Sequence, residues 1–525
     1  MSRRVAAPGA PDRLRVSLPG AGDAPTAFRE ALALHAAGRM PDAIAALQAL
    51  ATRAPRFAPA RNALGALRLE GGEATAALAV LEPLAREAPT VAATQVNLGN
   101  TLVALRRFEE AEAAFRRALA REPHVAGNHY ALGRAQQLSG DPLAAIAAYR
   151  DALDRDASHV ESWANLAAAY NFIDRYADGA DAAQQAIARN PSHAGAHFNL
   201  GVALLAQGQW AAGWRAFEWR TRTALLGGRT SPSDAPVWQG QVRAGATVLV
   251  YAEQGFGDTV QFVRHLRLVR ERGLRVVLVC QRPLVRLLHA NRVADAVLPI
   301  GATLPAHDWQ VSLSSLAHVL RLHDDAAVVV DDAPYLRALV TAGATRSAAP
   351  STQAERSEAN RPRRIGIVWA GHPTHVNDRH RSIGLAPFLP LLTDPSCTWV
   401  SLQVGPRAAE IQQLPAGITL EDGTRGGRDF ADTAATLATL DAVVSVDSAV
   451  AHLAGAMGVP TWVLLPRIGL DWRWTVGGLP ADGARSPWYT QVRMLRQPAA
   501  HDWGAVIESL RVALAIDAPS SDVRR

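Results

Sequence analysis

The chain has 525 residues, of which 49% are hydrophobic and 19% are charged, and its formal net charge is +6. A chain of this length is too long for one core, and this composition excludes a disordered protein. All 54 basic residues are arginine, which excludes a Walker P-loop and a Schiff-base enzyme because both need lysine.

The hydropathy, cysteine and charge patterns limit the compartment and the partners. No apolar run reaches the roughly 18 residues that span a bilayer, and no apolar stretch follows the basic start as it would in a secretory signal. Cys280 and Cys397 lie far apart, which favours a reducing compartment over a disulfide or zinc framework. The mild charge has no long basic run. We therefore expect a cytoplasmic protein with no membrane span and no nucleic-acid partner.

Residues 1–23 are predicted to be a disordered N-terminus, and residues 24–227 carry a repeat with a period of 34 residues. The repeated pair is Leu64-Gly65, Leu98-Gly99, Leu132-Gly133, Leu166-Ala167 and Leu200-Gly201. A small residue recurs at Ala43, Ala77, Ala111, Ala145, Gly179 and Gly213. Four residues later stand Leu47, Leu81, Phe115, Tyr149 and Phe217, with Ala183 as the exception. Small residues let two helices approach, bulky residues fill the gap, and proline stops the second helix.

This pattern resembles the tetratricopeptide repeat in about six units, and the resemblance implies an all-α superhelix with a concave surface for extended partners. Asn97, Asn165 and Asn199 share one repeat position, and their amides could bind a peptide backbone. A similar row occurs in the repeat arm of the O-GlcNAc transferases. Alternatively, asparagine is simply common at that point of the helix. The aromatic-rich last helix, Trp210–Trp219, is interpreted as a core seam against the next domain, with a ligand site as the alternative.

After a predicted linker at 228–245, short apolar runs replace the helical period. In a first lobe at 246–340, strands are predicted at Ala246–Ala252, Arg275–Cys280 and Trp309–Leu313. In a second lobe at 363–515, they are predicted at Arg364–Ala370, Thr398–Gln403, Ala442–Val446 and Thr461–Leu465. The polar stretch 341–362 is predicted to be an interlobe linker and 516–525 a tail. Strands alternating with helices indicate two doubly wound parallel sheets, with a cleft at their carboxyl ends.

Two loops after predicted strands carry candidate site residues. The first, Gly255-Phe256-Gly257-Asp258, lies where a dinucleotide fingerprint would, but Val260 stands at the third glycine position, which argues against NAD. The second, Asp447-Ser448-Ala449, opens a helix whose N–H groups and dipole would attract an anion, with His452 one turn further on. An ordinary helix cap is the alternative for the second loop.

Residues 246–515 resemble the ADP-heptose:lipopolysaccharide heptosyltransferase family. The family's acidic residue, its Thr/Ser-Gly pair and its His-Leu-Ala fall on Asp447, Ser448, Ala449, His452, Leu453 and Ala454. Its Gly-Asp pair falls on Gly257 and Asp258, and its basic diphosphate loop falls on Trp369–Ser382. Arg379 or Arg381 stands in for the lysine often found in that loop. The resemblance implies two Rossmann-like lobes in a GT-B-type domain that binds a nucleotide-diphosphate sugar.

The resemblance also implies an inverting glycosyl transfer without a metal or other cofactor, to a protein or glycan acceptor that the repeats recruit. Asp258 would be the catalytic base, although it could instead be only a helix cap. The predicted donor-binding residues are Gly255, Gly257, Trp369, Arg379, Arg381, Asp447, Ser448, Ala449 and His452. Two alternatives stay open: a scaffold that binds the donor without catalysis, and an O-GlcNAc transferase-like protein modifier. The sugar and the acceptor stay open as well.

Overall fold

A computed structural model describes residues 24–223, 231–323, 334–339, 361–375, 377–476 and 483–516. The predicted N-terminal segment 1–23 lies outside these described residues, as do nearly all of the predicted interlobe linker and tail.

The first part of the described chain is all-α. Residues 24–217 form twelve helices: α1 (Ala24–Ala36), α2 (Met40–Arg53), α3 (Ala58–Glu70), α4 (Ala74–Glu87), α5 (Ala92–Ala104), α6 (Phe108–Leu119), α7 (Ala126–Ser139), α8 (Pro142–Arg155), α9 (Val160–Phe172), α10 (Tyr176–Arg189), α11 (Ala194–Ala206) and α12 (Trp210–Phe217). Turns of two or three residues join the helices of each pair, so the predicted period of 34 residues corresponds to one helix pair.

The repeated glycine marks the closest approach of the two helices in a pair. A Cβ atom at Gly65 would lie 2.4 Å from Leu81, and one at Gly99 would lie 2.6 Å from Phe115. At Gly133 the nearest atom, 2.7 Å away, belongs to Tyr149. Each glycine thus leaves room for the bulky residue sixteen positions later, as the sequence pattern predicts.

The fifth repeat departs from this pattern at both positions. Ala167 stands in place of the glycine and Ala183 in place of the bulky residue, and both are fully buried. The two exceptions in the pattern therefore occur in the same helix pair, α9 and α10.

A four-stranded parallel sheet follows the helices. Its strands are β1 (Thr247–Tyr251), β2 (Arg275–Cys280), β3 (Ala296–Pro299) and β4 (Trp309–Ser312), in the order β3-β2-β1-β4. Thr247 pairs with Arg275, and Val248 pairs with Trp309. The interiors of β1 and β2 are buried, as expected for a sheet that is covered on both faces.

A six-stranded parallel sheet forms the rest of the α/β region. Its strands are β5 (Arg363–Val368), β6 (Cys397–Ser401), β7 (Glu421–Asp422), β8 (Ala442–Val446), β9 (Thr461–Leu465) and β10 (Val492–Arg496), in the order β10-β9-β8-β5-β6-β7. Ile365 pairs with both Trp399 and Ala442. The strand order reverses between β5 and β8, and this is the doubly wound arrangement in which ligands bind at the reversal point.

The helices of the α/β region are short. They are α13 (Phe256–Phe262), α14 (Leu266–Glu271), α15 (Arg282–Ala290), α16 (Leu316–Val319), α17 (Asp378–Arg381), α18 (Leu389–Leu392), α19 (Phe430–Leu437), α20 (Ala449–Ala456) and α21 (Trp503–Ile516). Two 3₁₀ segments, Ala386–Phe388 and Pro406–Gln413, lie among them. Proline at their starts and within α18 removes backbone donors that a longer α-helix would need.

The chain divides into two compact units, of which the first ends at Ser162 and the second begins at Trp163. The second unit includes the last helices of the array because their side chains share one core with the sheets. Trp214 is fully buried and makes edge contacts with Phe262 at 6.2 Å and with Trp472 at 5.6 Å between ring centroids. The interpretation of the last helix as a core seam is therefore confirmed.

Arg220 extends that seam into the four-stranded sheet. It lies in a 3₁₀ helix, Glu218–Arg222, directly after α12, and it is 2% exposed. Its guanidinium donates to Glu253 just beyond β1, and to Ser312 and Ser315 at the end of β4. The order of this sheet reverses between β1 and β4. Arg220 therefore lies at the reversal point, the position at which ligands bind in doubly wound sheets.

In the described ranges, every helix is too short or too polar to cross a membrane.

Candidate functional site

The reversal point of the six-stranded sheet lies between the loops that follow β5 and β8. The β5 loop carries Gly371 and leads to Arg381 in α17, while the β8 loop carries Asp447 and leads to α20. Arg381 packs flat against Gly371, since a Cβ there would lie 2.6 Å from its guanidinium. The carboxyl ends of neighbouring strands thus bring two of the sequence-predicted segments together.

Asp447 and Arg381 are oppositely charged neighbours at this reversal point. Arg381 Nη1 lies 4.0 Å from Asp447 Oδ2, and the indole N–H of Trp474 donates to Asp447 Oδ1 at 3.0 Å. Burial raises the pKa of Asp447 above its usual range, although the nearby charge of Arg381 opposes the shift. Arg381 Nε is buried, makes no hydrogen bond within the described residues and lies 3.8 Å from Asp378 Oδ1.

Ser448 is the N-cap residue of α20. Its extended backbone, with φ −149° and ψ 164°, precedes the helix, and its Oγ accepts from the Ala451 N–H at 3.4 Å. Ala449 is the first helical residue. The predicted cap is confirmed at Ser448, and the N-terminal end of α20, with its partial positive charge, lies beside Asp447.

Asp258 comes from the other sheet and has two partners. It lies in the first turn of α13, where its Oδ2 accepts from the Gly255 N–H at 2.9 Å. Its Oδ1 forms an ion pair with Arg473, which follows β9 of the six-stranded sheet. Its side chain keeps 23% of its surface exposed. Asp258 is therefore both a helix cap and a partly accessible carboxylate at the junction of the two sheets.

His452 lies on α20 directly against the Gly257 loop. A Cβ at Gly257 would lie 2.7 Å from His452 Cδ2, so only glycine allows this approach. His452 Nδ1 shares a hydrogen bond with Tyr489 Oη at 2.9 Å, and its ring stacks on Trp474. Burial, and secondarily Arg473, lowers the pKa of His452 to about 4. The ring is therefore neutral at pH 7.

Arg473 is the site residue that the sequence did not identify by role. It is 5% exposed, binds both carboxylate oxygens of Asp471 at 2.9 and 3.0 Å, and reaches Asp258 in the opposite sheet. Burial favours its neutral form, but the adjacent carboxylates, Asp258 first, raise its pKa overall. The sequence signal that could have identified it is an arginine between two tryptophans, Trp472-Arg473-Trp474.

Two predicted donor-binding residues lie in other surroundings. The Trp369 side chain is fully buried in the core of the six-stranded sheet, which leaves it no exposed surface for a ligand. Arg379 is exposed, and its Nε donates to the ring of His380 at 3.1 Å. Of the two candidate arginines, Arg381 is the one beside Asp447.

The asparagine row in the repeats is half-buried. Asn97 donates to Asn62 Oδ1 at 3.1 Å, and Asn199 donates to the carbonyl of Ala164 at 3.0 Å. Their amide N–H groups thus bond within the array, while their carbonyl oxygens are acceptors that a partner could use. Binding of a partner by Asn97, Asn165 and Asn199 stays a prediction.

Comparisons with known proteins identify repeats in the N-terminal region of the chain. The tetratricopeptide repeat family model matches residues 96–160 and 173–217. The N-terminal region therefore carries tetratricopeptide repeats, which suggest a scaffold or protein-interaction role.

A curated relative and two solved structures are similar over part of the chain. Protein FlbA of Caulobacter vibrioides is 25% identical over a match of 333 residues that covers 56% of this chain and 51% of FlbA, so the match spans about half of that relative. A thermophilic tetratricopeptide-repeat protein of Thermus thermophilus is 22% identical, with a TM-score of 0.31 over 35% of this chain and 99% of its own. MamA of Desulfovibrio magneticus is 18% identical, with a TM-score of 0.31 over 33% of this chain and 99% of its own.

Proposed function

We propose that this chain is a glycosyltransferase that moves a sugar from a nucleotide-diphosphate donor to a protein or glycan acceptor recruited by the repeats. The observation that carries the proposal is the meeting of three segments at one crevice. Arg381 and the capped start of α20 lie at the reversal point of the six-stranded sheet, and Asp258 approaches from the other sheet. This supports an anion site next to a carboxylate on separate elements.

The leaving diphosphate is the group that needs stabilisation. The first N–H groups of α20 and the guanidinium of Arg381, whose side chain keeps 13% of its surface exposed, are donors suited to phosphate oxygens. Asp447 is a carboxylate beside them, and the charge of Arg381, 4.0 Å away, offsets its repulsion of an anion. Its oxygens also suit the hydroxyl groups of a sugar or ribose.

Asp258 is the proposed base for the acceptor hydroxyl. In the transfer, the acceptor oxygen attacks the anomeric carbon, its proton passes to Asp258, and the bond to the diphosphate breaks with its electron pair on the leaving oxygen. Attack from the side opposite the leaving group inverts the anomeric centre. Arg473 holds the carboxylate in place from the other sheet.

A second candidate function, donor binding without transfer, is favoured by one observation. Both oxygens of Asp258 already have partners, the Gly255 N–H and Arg473. A carboxylate held in this way can serve as a structural link between the sheets, with the site binding a nucleotide sugar as a signal. The two functions share the anion site and differ in the role of Asp258.

The decisive experiment combines a binding assay and a transfer assay on the full chain. The melting temperature is measured with UDP-glucose, UDP-N-acetylglucosamine, GDP-mannose and ADP-glucose, since a ligand that binds the native state raises it. The stabilising donor is then used, with a labelled sugar, for transfer to acceptors in a cell extract. Asp258→Asn should slow transfer about 10²–10⁴-fold while donor affinity changes little.

Asp308→Asn is the matched control. Asp308 also accepts from a backbone N–H, that of Thr247, and pairs with an arginine, Arg243, but it lies at the amino end of β1. It should leave transfer unchanged. Transfer at the wild-type rate by Asp258→Asn would exclude Asp258 as the base. A wild-type protein that binds a donor but transfers to no acceptor would favour the second candidate function, and one that binds no donor would refute both.

A further inference from the structure

The turns of the repeats share one unusual backbone position. A residue with positive φ recurs every 34 residues, at Gly38, Gly72, Arg106, Gly140, Asp174 and Gly208. Glycine adopts this left-handed conformation without a steric cost, whereas a residue with a Cβ atom is strained in it. The fifth turn therefore has an aspartate where four of the other five turns have glycine. Such strain persists where contacts of the side chain offset it.

Asp174 is a buried anion between two arginines of the six-stranded sheet. Its side chain is 1% exposed and forms ion pairs with Arg496 at the end of β10 and, at 3.4 Å, with Arg467 just after β9. Tyr176 donates a further hydrogen bond to it at 3.2 Å. These charge-assisted contacts join a turn of the repeats to the carboxyl end of the sheet.

Phe172, at the start of the same turn, makes three contacts with the site loops. Its carbonyl accepts from the Gly469 N–H at 2.6 Å, and its ring meets His380 edge-on, with 5.5 Å between centroids. The approach is close, because a Cβ at Gly469 would lie 2.6 Å from both the Phe172 ring and Asn377. Asn377 in turn donates to the Gly469 carbonyl.

These contacts fall on the two loops that lead into the candidate site. The loop after β9 continues from Gly469 to Asp471 and Arg473, which holds Asp258. The loop after β5 continues from Asn377 through α17 to Arg381, which lies beside Asp447. The turn between α9 and α10 therefore touches both loops one to six residues before their functional side chains.

We propose that the α9–α10 turn positions the donor site, with Asp174 as the positioning residue that fixes the loops after β5 and β9. The inference rests on the proposed function, because it concerns the geometry in which those loops would hold a donor. It makes the fifth repeat a working part of the site. By linkage, a partner that moves this turn would change donor affinity, and the donor would change partner affinity by the same factor.

The test is hydrogen–deuterium exchange of the full chain, with the variants Asp174→Gly and Arg106→Gly. Both remove a side chain from the same strained turn position, so the backbone effect is matched, and only Asp174→Gly removes the ion pairs. We expect Asp174→Gly to speed exchange at 377–381 and 467–474 about 10-fold or more, with β8 and α20 unchanged. Arg106→Gly should leave both loops at the wild-type rate.

A donor titration separates this inference from the proposed function. The affinity for UDP, GDP or ADP, whichever raises the wild-type melting temperature, should fall at least about 5-fold in Asp174→Gly and stay constant in Arg106→Gly. Asp174→Asn, which tolerates the backbone and keeps one acceptor, should give an intermediate result, and it replaces Asp174→Gly if that variant fails to fold. Wild-type exchange at both loops in the Asp174 variants would overturn the inference. If no nucleoside diphosphate binds the wild type, the proposed function fails, and the exchange data still decide whether Asp174 fixes the loops.

Discussion

Arg220→Met is the substitution that tests most directly whether the buried ion pair of Arg220 with Glu253 stabilises the second unit. Arg220 is 2% exposed, and its partner Glu253 is 4% exposed. Methionine keeps much of the volume but leaves Glu253 buried without its counter-ion. Removing one partner of a buried ion pair costs about 3–5 kcal/mol. At about 2 °C per kcal/mol for a large domain, the melting temperature of the second unit should fall by roughly 6–10 °C.

The assay is differential scanning calorimetry of the full chain, with two comparison proteins. Arg222→Met is the control, because Arg222 is exposed and only covers the Trp219 ring, so its loss should cost about 1 kcal/mol or less. Arg220→Met/Glu253→Leu should be less destabilised than the two single variants together by about 1–3 kcal/mol. If Arg220→Met melts within about 2 °C of the wild type, Arg220 does not stabilise the reversal point.

Three further predictions concern the repeats and the site. Gly99→Ala should cost about 1–3 kcal/mol in urea unfolding because its Cβ meets Phe115, and adding Phe115→Ala should relieve the clash, with additive losses arguing against it. Burial lowers the pKa of His452 to about 4, so the free energy of unfolding is highest above pH 6.5, where the ring is neutral in both states, and falls from there toward pH 4. His452→Gln should reduce the pH dependence of the melting temperature between pH 7 and pH 5, and an unchanged slope would contradict this. Arg381→Ala should weaken donor binding in calorimetry by about 1.5–3 kcal/mol, while the control Arg379→Ala, which alters an exposed side chain, should not; equal losses would place the two arginines in one site.

The repeats were predictable because their period is encoded in residue size. Gly99 and Phe115 face each other within one helix pair, so a pattern separated by sixteen residues reports a real contact. The two exceptions, Ala167 and Ala183, are both buried and lie in the same helix pair. Local contacts of this kind leave a trace in sequence that needs no knowledge of the rest of the fold.

The buried central strands were predictable, and three of the four edge strands were missed. β2, β8 and β9 have the predicted bounds because continuous apolar runs are typical of strands covered on both faces. β3 ends in a proline, β7 has two acidic residues, and β10 has an arginine at its second and last positions. Strands at or near a sheet edge need less apolar surface, so their pattern is too weak to recognise.

The positions of several candidate site residues on their helices and loops were predictable, but their contacts were not. The sequence reveals the helices that carry these residues. Asp258 lies in the first turn of α13, Ser448 precedes α20, and His452 lies one turn into α20. The partner of Asp258 is Arg473, 215 residues further along the chain, and that pairing depends on how the two sheets meet. Trp369 shows the converse, since its position after a strand indicated a ligand contact and its size placed it in the core.

Gene duplication or deletion of a 34-residue unit preserves the geometry of a helix pair, so arrays of this kind can change length in evolution. The fifth and sixth units of this chain are less exchangeable, because Asp174 in one and Arg220 just after the other reach the sheets. An incoming unit with glycine at the turn would form its helices and lose the ion pairs with Arg467 and Arg496. Array length should therefore vary among homologues upstream of α9, and chimeras that graft new binding specificities should be joined before Val160.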